Sequence, residues 1–136
     1  MEVDTPLGPA RVLASSPTAD PAGTLVLGHG AGGGAEAPDL VAVGDAAAGA
    51  GWRALRVEQP WRVAGKRIAP APAALDLAWT AVLDRLRDDG VLSGPLVLGG
   101  RSAGARVACR TATALRATGV VALAFPLHPP GRPEKS

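Results

Sequence analysis

Leu96-Val97-Leu98-Gly99-Gly100-Arg101-Ser102-Ala103-Gly104 decides how the rest of this chain is read. The apolar run from Pro95 to Leu98 reads as a strand, and a helical pattern starts at Ala103. Between them lies a sharp turn with a serine at its apex. A G-x-S-x-G spacing in that setting has a steric cause. The serine is held at positive φ, and Gly100 and Gly104 flank it because a Cβ at either would strike the neighbouring strand or helix. Ser102 is the candidate nucleophile, and the N–H of Ala103, at a helix N-terminus, is a candidate oxyanion donor. The plain alternative is a small turn residue among abundant glycines.

Working outward, Gly23 to Gly28 is a continuous apolar run without alternation, as expected of a strand covered on both faces. It leads into Gly28-His29-Gly30-Ala31-Gly32-Gly33-Gly34, which reads in two ways. Gly28, Gly30 and Gly33 satisfy G-x-G-x-x-G, with Glu58 at the end of the next strand as a ribose-binding acid, which is the dinucleotide-binding reading. That reading needs a helix to begin within the glycines. Pro38 disfavours helical geometry at Ala37, which predicts a start after it with Asp39 as N-cap. The glycine run is then a loop whose N–H groups at Gly30 and Ala31 can serve an oxyanion, and this is the favoured assignment.

The remaining elements follow from pattern. A hairpin at a sheet edge is predicted over residues 1–22, turning at Gly8-Pro9. A weak helix follows over 39–51, then a strand from Trp52 to Glu58 and a basic loop holding Trp61, Arg62, Lys66 and Arg67. Leu75, Ala78, Trp79, Val82, Leu83 and Leu86 give the cleanest amphipathic helix, over 73–89. Another helix is expected over 103–118, with Val107, Thr111, Ala114 and Leu115 on one side, and a last strand from Val120 to Phe125. Strand and helix in alternation predict an α/β fold, a three-layer sandwich on a mostly parallel sheet. Its carboxyl-end rim would carry His29, Glu58, Ser102 and His128.

Composition excludes several classes. The 136 residues are 47% hydrophobic, which supports one globular domain, 1–136, rather than a disordered chain. The formal charge is +2 without a dense basic run, so no nucleic-acid partner is expected. No apolar stretch approaches a membrane span, and a single cysteine, Cys109, points to a reducing, cytoplasmic setting. Cys109 itself reads as a small buried hydrophobe. No His/Cys/Asp spacing suggests a metal, and no cofactor is expected.

The combination of His29-Gly30 with Gly100-Arg101-Ser102-Ala103-Gly104 resembles the α/β-hydrolase superfamily. Val57-Glu58-Gln59-Pro60-Trp61-Arg62 and Phe125-Pro126-Leu127-His128-Pro129-Pro130-Gly131 are similar to a dienelactone-hydrolase-like branch of it. That branch includes the hydrolase-like domain of a subunit of the non-specific-lethal histone acetyltransferase complex. The resemblance runs from about Gly23 to Glu134. It implies a serine hydrolase of ester-like or other acyl bonds, with small-molecule substrates and a pocket drawn from His29, Glu58, Arg101 and His128.

In that superfamily the nucleophile is followed by an acid and then a histidine. After Ser102 this sequence has Glu134 and His128, in the reverse order. Three readings stand: a C-terminally shortened hydrolase, the favoured one; His128 standing in as base; and a non-catalytic interaction module. Glu58 is expected either to hold a substrate group or to pair with Arg62 or Arg56. An apolar last strand left at the sheet edge is expected to pair with another copy.

Overall fold

The structure, a computed structural model, describes residues 1–125. His128 and Glu134 lie outside the described residues. Ten elements follow in order: β1 (Glu2–Thr5), β2 (Gly8–Ser15), β3 (Thr24–Gly28), α1 (Pro38–Gly49), β4 (Arg53–Glu58), α2 (Pro60–Val63), α3 (Pro72–Asp88), β5 (Leu96–Arg101), α4 (Ala103–Thr111) and β6 (Gly119–Leu123). The strands make one sheet in the order β1-β2-β4-β3-β5-β6. β4, β3, β5 and β6 run parallel, while β2 is antiparallel to both β1 and β4.

β3 explains why its sequence does not alternate. It lies in the interior of the sheet, and all five of its residues are buried. Val26 packs on one face with Trp79, Leu83 and Val107, from α3 and α4. Leu25 and Leu27 pack on the other with Leu40 of α1. Two apolar cores on opposite faces of one sheet are the three layers that the strand-helix alternation predicts.

The predicted stripe of α3 is the buried one, Leu75, Ala78, Trp79, Val82, Leu83 and Leu86. Arg110 of α4 ties to this helix through Asp76, at 2.8 Å. Burial of a stripe this wide, at about 25 cal/mol per Å² of apolar surface, is what holds α3 against the sheet.

Elsewhere the structure corrects the expected boundaries, and proline is the common cause. α1 starts at Pro38, with Ala37 in extended geometry (φ −54°, ψ 135°) as N-cap, so Asp39 lies in the first turn and does not cap. Pro60 and Pro72 likewise open helices. A missing N–H costs nothing at the first helical position, where no acceptor awaits it. The supposed loop after β4 therefore begins with a helical turn, α2, and Trp61 is buried in it. α4 ends at Thr111, seven residues short of the expected end, and Ala114 is exposed. Arg116 at φ 61° sits in the turn that replaces the last stretch. The hairpin turns at Pro6-Leu7, since Gly8 already pairs with Thr5. Cys109 is exposed, because the buried face of α4 is Gly104, Ala105, Val107, Ala108 and Thr111.

Candidate active site

The register of the parallel strands builds the site. Gly28, the last residue of β3, stands opposite Gly100 of β5. The two chains leaving those positions, His29-Gly30 and Arg101-Ser102, are therefore neighbours. Ser102 has φ 53° and ψ −113°, a conformation that costs a non-glycine residue on the order of 1–3 kcal/mol. Its N–H donates to the Leu123 carbonyl at 2.8 Å, so the end of β6 fixes the bend from the far side.

The flanking glycines are there for space. A Cβ on Gly100 would lie 2.6 Å from the Gly28 oxygen and 2.6 Å from the Gly104 carbonyl carbon. A Cβ on Gly104 would collide with the Gly28 carbonyl. The first turn of α4 thus rests directly on the end of β3, backbone against backbone. Ala103 is the first helical residue, and its N–H belongs to the four that a helix leaves without an internal acceptor. A Cβ on Gly30 would come within 3.4 Å of the Ser102 Cβ, so the glycine loop passes directly over the serine.

His29 holds that loop in place. Its Nδ1 lies 2.8 Å from the Gly30 carbonyl, and the Gln59 N–H donates to its Nε2 at 3.0 Å. An oxygen on one side and an N–H on the other require the neutral tautomer with hydrogen on Nδ1. Burial pushes the His29 pKa below its ordinary value, against the opposing pull of the Gly30 carbonyl and the Glu58 charge. Its ring also leans on Trp61, with centroids 5.7 Å apart. With both nitrogens engaged, His29 orients the loop and is not placed to take a proton from Ser102.

Two recesses lie along the glycine loop, the outer one lined by Ser102 and the inner one by its neighbour Ala103. An outer groove of about 480 Å³ is lined by Gly30 to Gly33, Ala37 to Asp39, Arg101 and Ser102. An inner hollow, on the α3 side, is lined by His29, Gly30, Ala31, Ala103 and the apolar faces of Leu75, Trp79 and Val107. Gln59 and Trp61 also line it, and the Gln59 Oε1 and Trp61 Nε1 atoms are buried without a partner. This hollow has room for about one water, about 10 Å³, and its wall is mainly apolar.

Of the residues singled out from sequence, Ser102, Ala103, Gly30, Ala31, His29 and Arg101 all line these recesses. Arg101 does not reach inward: its guanidinium holds Asp39 of α1 at 2.8 Å, which lowers the Asp39 pKa. Glu58 is outside the lining of both recesses. It pairs with Arg11 at 3.5 Å, neither with Arg62 nor with Arg56, and accepts the Ala35 N–H at 3.4 Å. The hairpin brings Arg11 opposite Glu58 in register, a contact that only the β2-β4 pairing reveals. Arg56 instead donates to the Ala35 carbonyl, 2.7 Å away. Two positions escaped the sequence reading, Gln59 and Asp39. Gln59 was legible in principle, as the first residue past a strand end on the same rim. The glycine run is a loop, and α1 begins only beyond it, so it forms no helix-mounted phosphate cradle. Among the described residues no group of His, Cys, Asp and Glu is arranged to hold a metal, and no helix is long and apolar enough to cross a membrane.

A strained serine between a buried strand and a helix, under a glycine loop from the neighbouring strand, is the arrangement of an α/β serine hydrolase. The family described as "Alpha/beta hydrolase domain" matches residues 21–136, and the chain belongs to that family. Its fold is similar to that of an α/β serine hydrolase without a lid from Xanthomonas campestris. The TM-score is 0.80 at 23% identity, over 93% of this chain and 60% of that one. An α/β serine hydrolase homologue from Coxiella burnetii gives 0.82 at 17% identity, over 93% and 62%. A cold-adapted esterase from an Arctic intertidal metagenomic library gives 0.71 at 18% identity, over 90% and 58%. The chain thus spans about three-fifths of the length of these structures. No curated protein matches it at a significant level.

Proposed function

We propose that Ser102 is the nucleophile of a serine hydrolase acting on ester-like or other acyl bonds of small molecules. The N–H groups of Ala103 and of Gly30 or Ala31 would receive the oxyanion. The observation that carries this reading is the backbone of Ser102, φ 53° and ψ −113°, held in the wall of an open groove beneath the glycine loop. Strain of that kind in a serine is retained where the side chain must project from a tight bend. The similar structures described as esterase and serine hydrolases support the same class. No cofactor enters the proposal, and the dienelactone-hydrolase-like branch and a cytoplasmic setting are part of it.

Proton transfer sets the rate. His29 is the only histidine among the described residues, and its nitrogens are both taken. Without a base and acid on the serine, catalysis falls by about 10⁶ from a complete triad. What remains, from oxyanion donors and binding, is ~10³ to 10⁴ over water. A fluorophosphonate probe tests the reading. Covalent labelling confined to Ser102, and lost in Ser102→Ala, is expected. Equal p-nitrophenyl acetate hydrolysis by the parent and Ser102→Ala would remove Ser102 from the chemistry.

The second reading is a non-catalytic interaction module, and the β6 edge favours it. Val120 and Val121 are 37% and 36% exposed there, and open apolar edge strands pair with other chains. A homo-oligomer joined through β6 is the expected form. A clean monomer at high concentration in size-exclusion chromatography would dismiss it.

A further inference from the structure

From Gln59 to Leu75 the chain carries Arg62, Lys66 and Arg67 and not one acid. The fold brings these three cations to one open hollow of about 530 Å³, whose opposite wall is Ala31 and Gly32. The same two residues line the groove at Ser102, so hollow and groove share a wall made of the candidate oxyanion loop. All three cations are exposed, and none has a carboxylate within ion-pair distance among the described residues. Glu58 lies near Arg62, since a Cβ on Gly34 would lie 2.7 Å from the Glu58 Oε1 and 3.2 Å from the Arg62 Nε. Glu58 is committed to Arg11 instead.

Cations gathered with no carboxylate paired to any of them repel one another, and an anion with several acceptor oxygens relieves this best. Two planar guanidinium forks and one ammonium suit a phosphate, whose oxygens accept in several directions and whose charge approaches −2. We infer that this hollow binds an anionic group, a phosphate in the first instance, carried on the acyl substrate whose carbonyl sits at Ser102. The substrate class narrows to acyl esters or thioesters with an anionic arm. The inference rests on Ser102 as nucleophile for the word substrate, while the anion site itself stands on the cations alone.

The test titrates the chain with inorganic phosphate at low ionic strength, following amide chemical shifts, with monomethyl succinate and dimethyl succinate as carboxylate and neutral arms. Saturable shifts at Ala31, Gly32, Gly65 and Lys66 are expected with phosphate, and weaker or no binding of the neutral diester. Arg62→Gln/Lys66→Gln/Arg67→Gln should bind phosphate about tenfold more weakly, the product of three exposed charge contacts of ordinary size. Arg85→Gln/Arg116→Gln, which removes charge elsewhere, serves as control. Tighter binding of monomethyl succinate than of phosphate supports the anion site and assigns it to carboxylate-bearing esters. Absence of saturable shifts with either anion, or shifts undiminished in the triple variant, overturns it. Failure of the fluorophosphonate to label Ser102 would strike the hydrolase reading and leave this titration standing.

Discussion

The chains leaving β3 and β5 stand side by side on the rim and are held by opposite means. After β5 there is no slack: Ser102 is the only residue between strand and helix, and the glycines on either side press backbone onto backbone. After β3 the chain wanders through a glycine-rich loop before α1 begins, and it is held by side-chain hydrogen bonds, His29 at its start and Glu58 and Arg56 at Ala35. One half of the candidate site is fixed by excluded volume and the other by removable tethers. Sterics set the position of Ser102, the proposed nucleophile, and hydrogen bonding sets the loop that passes over it.

If that contrast holds, the largest effect belongs to Gly104→Ala. Alanine is the better helix former by about 1 kcal/mol, but overpacking against the end of β3 overrides it. A net loss of about 3 kcal/mol is expected in urea unfolding, and a loss below about 1 kcal/mol would show that the close approach has room to give. Next comes His29→Ala, which strands the Gln59 N–H and the Gly30 carbonyl in a buried place. About 2–3 kcal/mol is expected, together with faster amide exchange confined to residues 29–34. The same histidine sets a pH dependence. Its folded pKa is lowered, so below its ordinary value the unfolded chain binds the extra proton first. Stability should fall as pH drops below about 6.5, and this part of the fall should be absent in the alanine variant. Ser102→Gly should run the other way, stabilising by about 1 kcal/mol as the strained backbone relaxes, while labelling is lost. Unchanged or reduced stability would argue that Ser102 is not strained. Smallest is Gly32→Ala. Nothing lies within 4 Å of a Cβ there, so a change within about 0.5 kcal/mol is expected on thermal unfolding.

The legibility of the sequence follows the same division. Where burial repeats with a helix period, as in α3, or fills a short strand completely, as in β3, pattern alone located the element. The elbow was readable because its glycines answer to a local steric demand. Two helix starts were placed one residue late, at 39 and 73, and α2 was missed, because a proline at the first position begins a helix and Pro38, Pro60 and Pro72 all do so. α2 is too short to show any period. The Glu58–Arg11 and Arg101–Asp39 pairs join residues far apart in the chain, and only the strand order brings them together. Gln59 stands at a strand end, which was legible, but its N–H donating to His29 and its side chain donating to the Leu75 carbonyl are contacts that only the fold reveals.

The hydrogen bond from the Ser102 N–H to the Leu123 carbonyl carries a consequence for how the protein is made. During synthesis, a nascent polypeptide that has emerged only as far as α4 lacks the acceptor that locks the bend. The Ser102 N–H then lacks its β6 acceptor, and only the packing of Gly100 and Gly104 on the end of β3 defines the bend. The bend is completed late, when the last described strand docks and supplies that carbonyl.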